Sequence, residues 1–110
     1  MIRYEVVNSL LSEVKLLDEV FVIKTIEEII AKYKLNVTQK TTLTTMRGSY
    51  HYHLKLGKKP GILEVTYWPP KKRLFVEIHE NRVSDWNTDL ILPFSESLAE
   101  HFAGIVQTNR

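Results

Sequence analysis

The 110-residue sequence predicts an α+β domain, an antiparallel meander of three to four strands with an N-terminal helix or helices and a C-terminal helix packed on one face. Three observations lead there. Apolar residues alternate with a period of two at Tyr50, Tyr52, Leu54, Leu56, then Leu63, Val65, Tyr67, then Leu74, Val76, Ile78, the mark of strands with one buried face. Lys58-Lys59-Pro60-Gly61 and Pro69-Pro70-Lys71-Lys72 separate the three segments and suit turns rather than a central strand. On either side of the meander, apolar residues recur at helical intervals of three and four.

Taken in order, residues 1–35 carry two helical stripes, Val7, Leu10, Val14, Leu17, Phe21 and Ile23, Ile26, Ile30, Tyr33. A phase slip between Leu17 and Thr25, with Thr25-Ile26-Glu27-Glu28 as a capping box, suggests two helices or one with a kink. Asn36 suits a helix end, and the threonine-rich segment Val37 to Met46 suits a fourth strand, turned at Arg47-Gly48-Ser49, or a bulged extension of the next one. Register follows from giving the apolar sets one face, which places Leu56 opposite Leu63, Leu54 opposite Val65 and Tyr52 opposite Tyr67. After the sheet, Ser84 to Asp89 reads as a polar connection holding Trp86. Pro93 is placed at a helix start, Ser95 at its N-cap, and Phe94, Leu98, Phe102, Ile105 and Val106 on its buried stripe.

At this length, with 44% apolar residues, residues 1–110 form one domain with a real core. Absence of cysteine excludes disulfides, thiolate catalysis and cysteine-type zinc sites. The uncharged apolar runs are too short to span a bilayer, so a soluble, cytoplasmic protein without a membrane partner is expected. The net charge of +2 is unevenly spread, at −1 over residues 1–35, +6 over 36–83 and −3 over 84–110. A basic sheet region between acidic helical regions suits a polyanionic partner, or simply solubility.

The order helix, three-strand meander, helix resembles the double-stranded RNA-binding domain over roughly residues 18–107. That resemblance implies a first strand loop entering a minor groove, where Lys58 and Lys59 match, and a lysine cluster opening the last helix on phosphates. Here the last helix is instead approached through Asp85 and Asp89 and opens with Glu96. The string GILEVTYWPP, preceded by HYHLK and followed by ENR, is similar to short bacterial proteins carrying a GxLExTxWP stretch without an assigned function, and implies no chemistry.

The second sheet face carries the candidate chemistry. Trp68 opposite Arg73, with Phe75, His51 and His53, forms an aromatic and basic strip of the kind on which unstacked bases lie. Lys58 and Lys59 at one end of the strands, and Lys71 and Lys72 at the other, stand about 20 Å apart at roughly 3.3 Å per residue and could bracket an extended strand. Ile62, Trp68 and Phe75 could equally be an apolar patch for a protein partner or a homodimer. Glu64 opposite Glu77, with Lys55 beside them and His53 and His79 on the diagonals, offers a metal or acid/base set whose paired carboxylates need a lysine, a shared proton or a cation. The leading expectation is a small non-enzymatic binding module without a cofactor, for single-stranded nucleic acid first and a protein partner next. A metal or acid/base enzyme using His53, Glu64, Glu77 and His79 is the alternative.

Overall fold

A computed structural model describes residues 1–12 and 18–109 of the chain. It contains β1 (Ile2–Val7), α1 (Glu19–Lys32), β2 (Asn36–Thr41), β3 (Tyr50–Lys55), β4 (Leu63–Trp68), β5 (Arg73–Ile78), α2 (Asp85–His101) and β6 (Ile105–Asn109). The strands form one sheet of order β2-β3-β4-β5-β1-β6 in which every neighbouring pair is antiparallel. The α+β class and the antiparallel meander are as the sequence predicts, but the sheet has six strands rather than three or four. One face packs its apolar side chains, among them Tyr4, Val6, Tyr52, Leu54, Val65, Leu74 and Val76, against both helices. The two helices meet where the Tyr33 hydroxyl lies 2.6 Å from Ser97 Oγ and its ring 5.5 Å from Phe94.

The N-terminal segment departs most from expectation. Ile2, Tyr4 and Val6 alternate as a strand, not as part of a helix, and β1 lies inside the sheet between β5 and β6. Val7 closes that strand, and Asn8 turns the chain at a φ of 53°. Of the stripe assigned to a first helix, Val14 and Leu17 fall outside the described residues, and Phe21 is exposed. α1 is capped by Asp18, whose carboxylate accepts from the Val20 amide, instead of by a capping box on Thr25. Thr25 sits mid-helix and donates back to the Phe21 carbonyl at 2.9 Å. Val22, Ile26, Ile29 and Ile30 form the buried stripe, so the β-branched run is overridden by packing. The helix stops at Tyr33, with Lys34 left-handed at φ 58°, and Asn36 opens β2 rather than ending the helix.

The β3–β4 register differs by two residues from the predicted one, with Leu54 opposite Leu63, Tyr52 opposite Val65 and Tyr50 opposite Tyr67. A shift of two keeps each side chain on its face. The connection this register leaves between β3 and β4 is held by the first turn of α2. Trp86 Nε1 donates to the Pro60 carbonyl at 2.7 Å, and Asn87 Nδ2 donates to the carbonyls of Ile62 and Arg82 at 3.0 and 2.9 Å. The Ile62 amide donates to the Arg82 carbonyl, which takes Ile62 out of the strand. Gly61 permits this approach, since its φ is 97° and a Cβ there would stand 2.6 Å from Ser84 Cβ.

The N-cap of α2 is Ser84, eleven residues before the predicted Ser95, with the Asn87 side chain accepting from the Ser84 amide. Pro93 is therefore inside the helix, where it removes one backbone bond at about 3 kcal/mol. Burial of Trp86, Ile91, Phe94 and Leu98 along the same helix offsets that loss. Ile105 and Val106 do not extend α2. The helix ends at His101, Ala103 turns at φ 53°, and Gly104 lets the chain pass Ser9 and Val7 to form β6 beside β1.

Asn87→Ala should remove three hydrogen bonds from a fully buried position and cost at least about 1–3 kcal/mol in urea unfolding. A change below ~0.5 kcal/mol would show that the connection is not held by this side chain.

Candidate metal centre

Alternation along β3 sends His51 and His53 to the face away from the helices, and alternation along β4 sends Glu64 and Thr66 to the same face. The observed register then sets His53 directly opposite Glu64 and His51 opposite Thr66, instead of on the diagonal. His79 follows the end of β5, and Arg82 ends the short turn Glu80–Arg82. Gln39, Thr41, Leu43 and Asn81 complete an open recess of about 330 Å³ around these groups.

Glu64 is the centre of the cluster and is only 3% exposed. Its Oε1 lies 2.9 Å from His51 Nε2 and 3.4 Å from His53 Nε2. Its Oε2 lies 3.2 Å from His79 Nε2 and 3.7 Å from Arg82 Nη1. Arg82 is too far for a hydrogen bond and His79 makes none, so this buried oxygen has no hydrogen bond. The other nitrogen of His51 is 2.7 Å from Thr66 Oγ1, and Arg82 reaches His53 Nδ1 at 3.4 Å. Because an ionised carboxylate only accepts, His51 presents Nε2–H to Glu64, and in its neutral form takes the Thr66 hydroxyl proton at Nδ1.

Burial pushes the Glu64 carboxyl up, but the His51 hydrogen bond and the charges of His79, His53 and His51 outweigh it and hold the group below its ordinary range. Burial lowers His53; the pull of Glu64 opposes this, and the charges of His51, Arg82 and His79 reinforce it. An ionised carboxylate beside a neutral imidazole is the protonation pattern that metal ligation requires. Ligand atoms of His51, His53 and Glu64 all lie within 4.8 Å of one another, so a modest contraction would bring them around one ion.

The expected set of His53, Glu64, Glu77 and His79 is only partly assembled. Glu77 is opposite Glu64 in register, yet Arg3 of β1 takes it with Nε and Nη2 at 2.9 and 2.6 Å from the same oxygen. His51 stands in its place. The aromatic strip is also changed, because Phe75 is 1% exposed, enclosed between the guanidinium groups of Arg3 and Arg73 at 4.9 and 4.8 Å from its ring centre. Arg73 itself grips Glu5 through two bonds of 2.9 Å. Trp68 is half-buried, its indole N–H donating to the Arg47 carbonyl at 2.8 Å. Lys58, Lys59, Lys71 and Lys72 are exposed at opposite ends of the strands. Sequence reading missed Arg82 and the Thr66 contact, although Arg82 follows His79 by three residues and Thr66 follows Glu64 by two.

No family model, curated protein or solved structure matches the chain. Its chemistry rests on the cluster's own geometry. Among the described residues no helix is long and apolar enough to cross a membrane.

Both lowered groups give a pH dependence of the same sign. The unfolded chain protonates His53 first, near the ordinary value of 6.5, so its contribution is complete above that pH and declines as pH falls through the lower folded value. Glu64 behaves likewise below 4.5. Stability measured against pH should therefore fall in two stages, with His53→Gln flattening the upper stage and Glu64→Gln the lower. A profile unchanged by His53→Gln would refute the assignment.

Proposed function

We propose that the protein is a small non-enzymatic binding module whose ligand is a divalent transition-metal ion, held by Glu64 with His51, His53 and His79. The observation that carries this reading is the buried Glu64 carboxylate, with His51 and His53 at its Oε1 and, at its Oε2, His79 and Arg82 but no hydrogen bond. A buried polar atom that lacks a hydrogen bond is costly, His79 and Arg82 meet this one only as ion-pair contacts, and a cation bound there would lower the remaining cost. The imidazole and carboxylate donors suit zinc, nickel or cobalt, and also manganese or iron. Thr66 supports the same reading, since its oxygen can accept from His51 Nδ1–H and free Nε2 for the ion. Metal and protons compete for these nitrogens, so affinity should decline in acid.

Metal-free protein titrated with zinc or cobalt should melt at higher temperature, by the equivalent of about 2.7 kcal/mol when free metal is 100 times its dissociation constant. Cobalt should develop visible absorption. Glu64→Gln, shown to be folded by circular dichroism, should lose both responses. Wild-type protein that gains no stability from zinc, nickel, cobalt or manganese would refute the proposal.

A second reading, binding of single-stranded nucleic acid, is supported by the exposed Arg47, Lys71 and Lys72 around the half-buried Trp68. Affinity for an oligonucleotide should then fall with salt, and Trp68→Ala should cost about 1–3 kcal/mol. Binding unaffected by either change would exclude it.

A further inference from the structure

The two edges of the sheet differ in how they are protected. β2 carries an irregularity between Val37 and Gln39 and presents Lys40, which pairs with Glu27 at 2.7 Å. Bulges and lysines are devices that keep an edge from accepting another strand. β6, with the sequence IVQTN, has no charge and no proline, and its pairing with β1 runs without a shift. Among the described residues nothing pairs with its outer side. Beside it runs an open groove of about 570 Å³ between β6 and α2, lined by Leu92, Ala99 and Val106 and by Glu96 and Glu100. Leu92 and Ile105 leave 44% and 58% of their surface in water.

We propose that β6 and this groove bind an extended segment of a partner polypeptide in which lysine or arginine alternates with apolar residues, added to the sheet as a seventh strand. Strand addition satisfies the outward backbone groups of β6, and side chains at alternate positions supply selectivity. Every second residue of the added strand would point toward α2. Glu96 and Glu100 are one turn apart, about 6 Å along the helix, close to the roughly 6.6 Å between alternate residues of a strand. Two basic side chains can thus lay their stems across Leu92, Ala99 and Val106 and reach both carboxylates. The intervening apolar residues fall on the other sheet face, where Ile105 is exposed opposite Val7. A second copy of the chain fits poorly, because two-fold pairing of β6 with itself would bring the Glu96 and Glu100 rows of both copies together. Residues 84–110 carry a net −3, which disfavours self-pairing further and favours a basic partner.

The test is a titration of the whole chain, followed by backbone amide resonances and hydrogen exchange. The probe is a peptide of about ten residues alternating lysine and valine, with a glutamate–valine peptide as control. The lysine peptide should shift resonances from Gly104 to Thr108 and along Leu92 to Glu100, slow exchange of β6 amides, and bind more weakly as salt rises. Glu96→Lys with Glu100→Lys, both at exposed positions, should weaken it at least about tenfold and make the glutamate peptide the better ligand. Absence of β6 shifts at millimolar lysine peptide would overturn the proposal. So would equal binding of the two peptides, or a concentration-dependent dimer that protects β6 in the absence of peptide.

Discussion

Asn87 holds the carbonyls of Ile62 and Arg82 and the amide of Ser84 from a position sealed from solvent, and the pairing of β3 with β4 depends on that clamp. With Ile62 held outside the strand, β4 starts at Leu63, and Leu54 stands opposite it. The alternative pairing, two residues along, buries the same kinds of side chain on the same face, so hydrophobic patterning cannot choose between them. The choice matters to the site, since it turns His53 from a diagonal neighbour of Glu64 into its direct partner and brings His51 within hydrogen-bonding distance of that carboxylate. The clamp also fixes Arg82, the basic residue at the rim of the recess.

A second constraint divides the same sheet face in two. Glu64 and Glu77 stand opposite each other, and like charges in that relation repel. The protein relieves them separately. Arg3 neutralises Glu77 and, with Arg73, closes over Phe75, giving a packed half in which Arg73 is also tied to Glu5. Glu64 receives imidazoles instead, which are weaker and titratable donors, and one of its oxygens is left without a bond. The face is thus sealed by arginines on the β5–β1 side and open on the β3–β4 side. Among the described residues of this face, the imidazoles lie on the open half, where they can exchange a proton for a cation.

Much of this was legible in the chain itself. Alternation from Tyr50 to Ile78, broken by Pro60-Gly61 and Pro69-Pro70, specified three neighbouring strands and which residues share each face. The pairs Glu64–Glu77 and Trp68–Arg73 follow from the short connection at Pro69–Lys71, because a tight turn leaves one register. His53, Glu64 and His79 could therefore be grouped from sequence. Less was legible at the ends. Ile2 to Val7 alternates as a strand, yet Val7 and Leu10 also fit a helical stripe, and short apolar segments satisfy either period. Pro93 concealed the first two turns of α2, since proline's local preference is for a helix start and only the burial of Trp86, Asn87 and Ile91 outweighs it.

The sequence by itself determined the α+β class, the two faces of the central strands and the residue types on the polar face, because period-two alternation is a local property that no distant contact alters. Tertiary structure alone decided that β1 enters between β5 and β6, that Arg3 removes Glu77 from the site, and that His51 joins Glu64. Each of these depends on segments far apart in the chain. Arg3 is 74 residues from Glu77, and Asn87 is 25 from Ile62. Which charge is paired and which register wins are settled by the free energy of burying those groups together, a quantity that exists only once the sheet has closed around them.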